Sequence, residues 1–134
     1  MIVVDTNVIV GAYLHGPHAK EIEALIEQDR EWFAPYLWRY EFRNVLAFYL
    51  RKELLDVSEA LLIMQYAEAR MRNQGRWTVS ERVLDLAKAS GRTSYDCEFV
   101  SLAKDLNVQL VTIDRKVLRQ FPSIAISPRE FISG

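Results

Sequence analysis

Residues 1–7 read MIVVDTN: four apolar side chains, Met1 to Val4, run straight into a carboxylate, Asp5. A short apolar run rich in β-branched residues reads as a strand buried on both faces. Residues 108–114, VQLVTID, repeat the arrangement and put Asp114 at the end of another strand. Helix-period segments separate the strands. That alternation predicts an α/β fold, with a central, mostly parallel sheet of about five short strands and helices on both faces. Ligands of such sheets bind beyond the carboxyl ends of the strands. The fold therefore delivers Asp5 and Asp114 to one rim.

Working outward, Val8 to Leu14 is apolar and reads as helical until HGPH breaks it, and Pro17 is placed to start a second helix. WFAP, residues 32–35, is a second short strand. A long helix follows from Tyr36 to about Lys52. Asp56 and Glu59 have the spacing of a capping box for the next helix, which NQG ends. Arg76 to Val79 reads as an extended link. Ser80 caps a helix ending at Gly91, and Thr93 or Ser94 caps another running to about Leu106. A short helix follows Asp114, and SIAI, residues 123–126, is the last strand. The 134 residues fit a single domain, 1–134.

Half of the residues are hydrophobic, so a packed core can form. The formal net charge of −1 argues against a binder that holds nucleic acid by electrostatics alone. One cysteine, Cys97, cannot form an internal disulfide, which fits a cytoplasmic protein. No apolar run approaches membrane-spanning length, and the N-terminal run is too short for a signal peptide.

Of 18 acidic residues, four have strand-end or apolar surroundings. Asp5 and Asp114 follow strands, and each also suits the N-cap of the helix behind it. Glu41 lies in YLWRYEFRNVLAFYL with Leu37, Val45 and Phe48 at helical spacing, a face shared with core residues. Its neighbours Arg39 and Arg43 point elsewhere. Asp96, in TSYDCEF, can be the acidic partner of a Thr93 cap, yet Val100 and Ala103 put it at the head of an inward stripe. Thr112 shares a strand face with Asp114, where its hydroxyl can orient a water or a carboxylate.

Four carboxylates drawn together repel one another, and a hard dication removes that problem. Mg²⁺ or Mn²⁺ takes oxygen ligands, acidifies a bound water and stabilises charge on a phosphoryl oxygen. Phosphodiester hydrolysis needs both effects. Zinc chemistry lacks its ligands, since only Cys97, His15 and His18 are available. Neither a Walker-type nor a dinucleotide glycine motif is present among five glycines.

The ordered set Asp5, Glu41, Asp96 and Asp114, with VVDTNVIV, RYEFRNVL and SYDCEFVSLAKDLNVQLVTIDRKVL around it, resembles a PIN domain, specifically a VapC-like ribonuclease toxin of a type II toxin–antitoxin pair. The resemblance covers nearly the whole chain and implies a PIN-like three-layer sandwich. It implies that Asp5, Glu41, Asp96 and Asp114 hold Mg²⁺ or Mn²⁺, some through water, with Asn7 ordering Asp5 and Thr112 matching the hydroxyl residue before the last Asp. It further implies an RNA substrate, a homodimer and inhibition by a small antitoxin protein. Glu98 departs from the pattern, standing where a small or apolar residue is usual; it reads as an exposed first-turn acid with a minor claim to support the site.

The activity expected is metal-dependent endoribonuclease cleavage. Arg43, Arg115 and Lys116 are candidates to hold flanking phosphates, and Tyr13, Trp38 and Trp77 to stack bases. The alternatives are a non-catalytic PIN-fold protein, a receiver-like Mg²⁺-binding regulatory module and a phosphatase with Asp5 as nucleophile. The last two want a second acid near Asp5, where Asn7 stands.

Overall fold

The computed structural model describes residues 1–134. Its centre is β1 (Ile2–Val4), three residues at 0–2% exposure with apolar neighbours on both faces. β2 (Trp32–Pro35) pairs with it on one side and β4 (Leu110–Val111) on the other. β3 (Gly75–Arg76) adds outside β2, and β5 (Ala125–Ile126) outside β4. The order is β3-β2-β1-β4-β5, and every pairing is parallel where a mostly parallel sheet was expected. All five strands therefore end on one rim.

Eight helices connect the strands and cover both sides of the sheet. They are α1 (Thr6–Gly11), α2 (Ala19–Gln28), α3 (Leu37–Arg51), α4 (Val57–Arg70), α5 (Ser80–Ser90), α6 (Ser94–Leu106), α7 (Arg115–Gln120) and α8 (Pro128–Ser133). The capping box of Asp56 and Glu59 forms at the start of α4. Gly91, at φ +72°, ends α5 in the left-handed conformation that glycine adopts at little cost and turns the chain towards α6. No helix is long and apolar enough to cross a membrane.

Some local readings shift. α2 begins at Ala19 rather than Pro17, which lies in the turn before it. Ser80 is the first residue of α5, with Val79 at the cap. α8, started by Pro128 behind a Ser127 cap, was not read from the sequence. On α3 the core stripe is Trp38, Phe42 and Leu46, one residue round from the face assigned to Glu41. Phe48 is 47% exposed, and Glu41 sits at the edge of the buried face instead of within it.

From β1 the chain works outward to β2 and β3, then crosses back to place β4 on the other flank of β1. The crevice where strand order reverses thus opens between the ends of β1 and β4, the position that favours a ligand site in parallel sheets. Asp5 and Thr112 are the next residues on those two strands, and the Asp5 amide donates to the Val111 carbonyl at 2.9 Å.

Candidate active site

Asp5 leaves β1 and caps α1. Its Oδ1 accepts from the Thr6 amide at 2.7 Å, and its Oδ2 accepts from the Thr112 hydroxyl at 2.8 Å. Asp5 therefore caps α1 and also lies at the rim, because the N-terminal turn of α1 begins there. Thr112 is fully buried, and its oxygen also accepts from the Asp114 amide at 3.1 Å and from Asn7 Nδ2 at 3.4 Å. Asn7 Oδ1 accepts from the Ile113 amide at 3.2 Å. One asparagine and one threonine thus lock the end of β1 to the end of β4.

Glu41 projects from α3 and accepts a 2.6 Å hydrogen bond from the Thr6 hydroxyl. No cation pairs with it. Asp114 caps α7 through Oδ1, which accepts from the Lys116 and Val117 amides at 2.8 and 3.3 Å. The Asp96 amide donates to the Thr93 cap at 3.2 Å, as expected. The Asp96 carboxylate, however, does not close a capping box; its Oδ2 pairs with Arg92 Nη2 at 2.7 Å.

The four acids open on one cleft of about 410 Å³, walled also by Asn7 and Asn44, and no lysine or arginine lines it. The electrostatic consequence is direct. Burial, helped by the charges of Glu41 and Asp96 and opposed by the Thr112 and Thr6 hydrogen bonds, raises Asp5 from 3.8 to about 6. Burial and the Asp96 charge also raise Glu41, against the Thr6 hydrogen bond. Oxygen donors of this type and charge suit a hard dication. Oδ1 of Asp96, Oε2 of Glu41 and Oδ2 of Asp114 accept no hydrogen bond from the protein and remain free for such an ion. No three of these side chains stand close enough together to form a ligand set as they are placed. The donor chemistry fits Mg²⁺ or Mn²⁺, whose shell would be completed by water, as Mg²⁺ commonly requires.

The other candidates lie apart from the cleft. Glu98, two residues after Asp96, accepts from the Thr78 hydroxyl at 2.8 Å and faces away. The Arg43 guanidinium rests 5.0 Å over the Tyr40 ring. Arg115 borders a separate small cavity beside His18, and Lys116 is exposed. Trp38 is a core residue at 2% exposure, Tyr13 is half-buried, and Trp77 is 84% exposed. Three contributors escaped the sequence reading. Thr6 lies inside the DTN triplet, and Asn44 follows Glu41 at helical i+3 spacing, so both were within reach. Arg92 lies before the cap of α6, where helix periodicity says nothing about its direction.

Replacing Thr112 by Val leaves Asp5 without its hydroxyl donor and the Asp114 amide without an acceptor. A buried polar group left unpaired costs about 1–3 kcal/mol. We expect Thr112→Val to unfold at correspondingly lower urea concentration with an unchanged m-value, readable by circular dichroism.

The PIN domain family profile matches residues 2–123. Ribonuclease VapC3 of Pyrobaculum aerophilum is 28% identical, over 92% of this chain and 96% of its own length. The crystal structure of PAE2754 from Pyrobaculum aerophilum superposes with a TM-score of 0.73 at 21% identity, covering 98% of this chain and 93% of the other. FitAcB of Neisseria gonorrhoeae superposes with a TM-score of 0.72 at 17% identity, covering 96% and 99%. At these identities the two structures speak for the fold, which is the same. With the profile spanning nearly all of the sequence, the chain belongs to the PIN domain family.

Proposed function

We propose that this protein is a metal-dependent endoribonuclease that hydrolyses RNA phosphodiester bonds, acting in the cytoplasm as the toxin of a toxin–antitoxin pair. The observation that carries the reading is the cleft at the β1–β4 crevice, with four carboxylates and no basic side chain in its wall. The similarity to a protein named ribonuclease VapC3 supports it. Asp5, Glu41, Asp96 and Asp114 would hold Mg²⁺ or Mn²⁺. Bound there, the dication supplies an acidified water and neutralises charge on the phosphoryl oxygens.

The chain's own residues do the remaining work. Thr112 and the Thr6 amide fix the Asp5 carboxylate from both sides, so its rotamer is set before any ligand arrives. The Thr6 hydroxyl does the same for Glu41. Asn7 keeps the two strand ends in register. Such supporting partners typically matter 10–100-fold to affinity or activity. The acidic wall repels phosphate until its charge is compensated, which makes RNA binding at the cleft conditional on a cation.

A small antitoxin and a second copy of the chain are the partners we infer. The exposed Phe48, Leu61, Leu62 and Tyr66 on α3 and α4 give apolar surface for such contacts. The reading is tested by incubating purified protein with total RNA, with Mg²⁺ or Mn²⁺ and then with EDTA. Discrete fragments should form with the cation and stop when it is chelated. Fragments of equal yield in EDTA, or none under any condition once bound partners are removed, would end this reading.

A further inference from the structure

Outside the cleft, one feature of the same rim has no role in the chemistry above. Trp32 and Trp38 are buried at 1% and 2%, whereas Trp77 is 84% exposed. Its ring lies 4.6 Å from that of Tyr36, itself 38% exposed. Tyr36 is the residue after β2, and Trp77 is the residue after β3. The pair therefore follows the first and second strands along the rim from β1, the strand that Asp5 ends.

The pair is built rather than accidental. The Tyr36 ring lies on Gly75, where an added Cβ would come within 2.6 Å of two ring carbons, so only glycine leaves it room. The Tyr36 amide donates to the Arg76 carbonyl at 3.2 Å, joining the two strand ends. Thr78, next to Trp77, donates to Glu98 at 2.8 Å. Glu98 is on α6 two residues from Asp96, so this bond ties the aromatic segment to the helix that carries a site carboxylate. The cavity of about 570 Å³ that Tyr36 borders has a mostly polar lining, with Arg39 and Arg72 against one Glu68. Its charge balance is therefore opposite in sign to that of the acidic cleft.

Exposed aromatic rings beside arginines are what unpaired bases stack on, and every base offers a π-face. We propose that Tyr36 and Trp77 form a stacking platform for the single-stranded flank of the RNA substrate, held in register with the cleft by the Thr78–Glu98 hydrogen bond. This rests on the ribonuclease reading and adds to it a preference for unpaired RNA and a positioning role for Glu98.

The test uses Asp96→Asn protein, to prevent cleavage, and a fluorescein-labelled single-stranded RNA of about twelve nucleotides, within the reach of one stacking domain. Trp77→Ala in that background should weaken binding about 5- to 150-fold, with Trp77→Phe recovering most of the loss. Iodide quenching of the exposed tryptophan should fall on RNA binding. In active protein, Trp77→Ala should raise KM with little change in kcat; Glu98→Ala should do the same more weakly, and Glu98→Gln, which keeps the acceptor for Thr78, should leave KM unchanged. Equal affinity and KM for wild type and Trp77→Ala would overturn the platform while leaving cleavage standing. A Trp77→Ala variant that alters only sedimentation would overturn it too, and a wild type that neither binds nor cleaves RNA would overturn the platform and the nuclease together. RNA bound through Trp77 but never cleaved would sustain the platform and remove the nuclease.

Discussion

Asp5→Asn protein is expected to lose RNA cleavage by about a hundred- to a thousandfold, the scale on which removing a key electrostatic group acts, and yet to melt higher than wild type in EDTA at pH 7.5. The two effects share one cause. Asp5 is held ionised at a cost, because burial and the charges of Glu41 and Asp96 raise it to about 6. An acid whose folded value lies above its unfolded value makes the native state bind more protons. Stability is then highest at low pH and falls as pH rises from about 4 through about 6. The shift corresponds to at most about 3 kcal/mol at neutral pH. Asn removes that charge but loses the hydrogen bond from Thr112, worth about 1 kcal/mol. A net gain of about 2 kcal/mol would raise the midpoint by about 4–10 °C in a chain of this size. The decline between pH 4 and 7 should flatten in the variant. A variant that melts lower than wild type at pH 7.5 and keeps the full slope would show that Asp5 carries no such strain.

The second expectation is that Mn²⁺ stabilises the wild type at neutral pH by more than it stabilises any of the four acidic-site variants. A ligand bound only by the native state adds about 2.7 kcal/mol at a hundredfold excess over its Kd. The ion would also offset the burial and the neighbouring charges that raise Asp5 and Glu41, so the fall in stability with pH seen in EDTA should be lost with Mn²⁺ present. Arg92 enters with a definite sign. It pairs with Asp96 at 2.7 Å and competes with any cation for that carboxylate. Arg92→Ala should therefore bind Mn²⁺ more tightly, while its metal-free form loses a compensating charge and melts lower. Scanning calorimetry with and without the ion reads all of this. Equal Mn²⁺ shifts in wild type and Asp5→Asn would place the ion elsewhere.

Much of this was legible in the residues because the signals are local. MIVV and QLV are too apolar and too short to be anything but buried strands, and the acids that end them inherit their position from the sheet. The caps at Asp5, Asp56, Thr93 and Asp114 form as their sequences require. What was not legible depends on rotation and on contacts between distant segments. The face of α3 was misjudged by one residue because Leu37, Val45 and Phe48 made an apolar stripe as plausible as Trp38, Phe42 and Leu46; packing against the sheet chose the second. Arg92 reaches Asp96 from outside any periodic element. Glu98 found its partner in Thr78, 20 residues away on an irregular segment. The residue types alone also hid that Asp5 and Asp114 cap helices and line the cleft at once, two placements that had looked like alternatives.

The most direct measurement is a crystal of the wild-type protein soaked in MnCl₂, with diffraction collected for manganese anomalous scattering. The account predicts a peak in the β1–β4 crevice, with carboxylate oxygens of Asp5 or its partners Glu41, Asp96 and Asp114 at about 2.1 Å or one water removed. It predicts the loss of that peak in Asp96→Asn crystals. A fully active enzyme whose crevice shows no peak, with Arg92 still locked on Asp96, would contradict it.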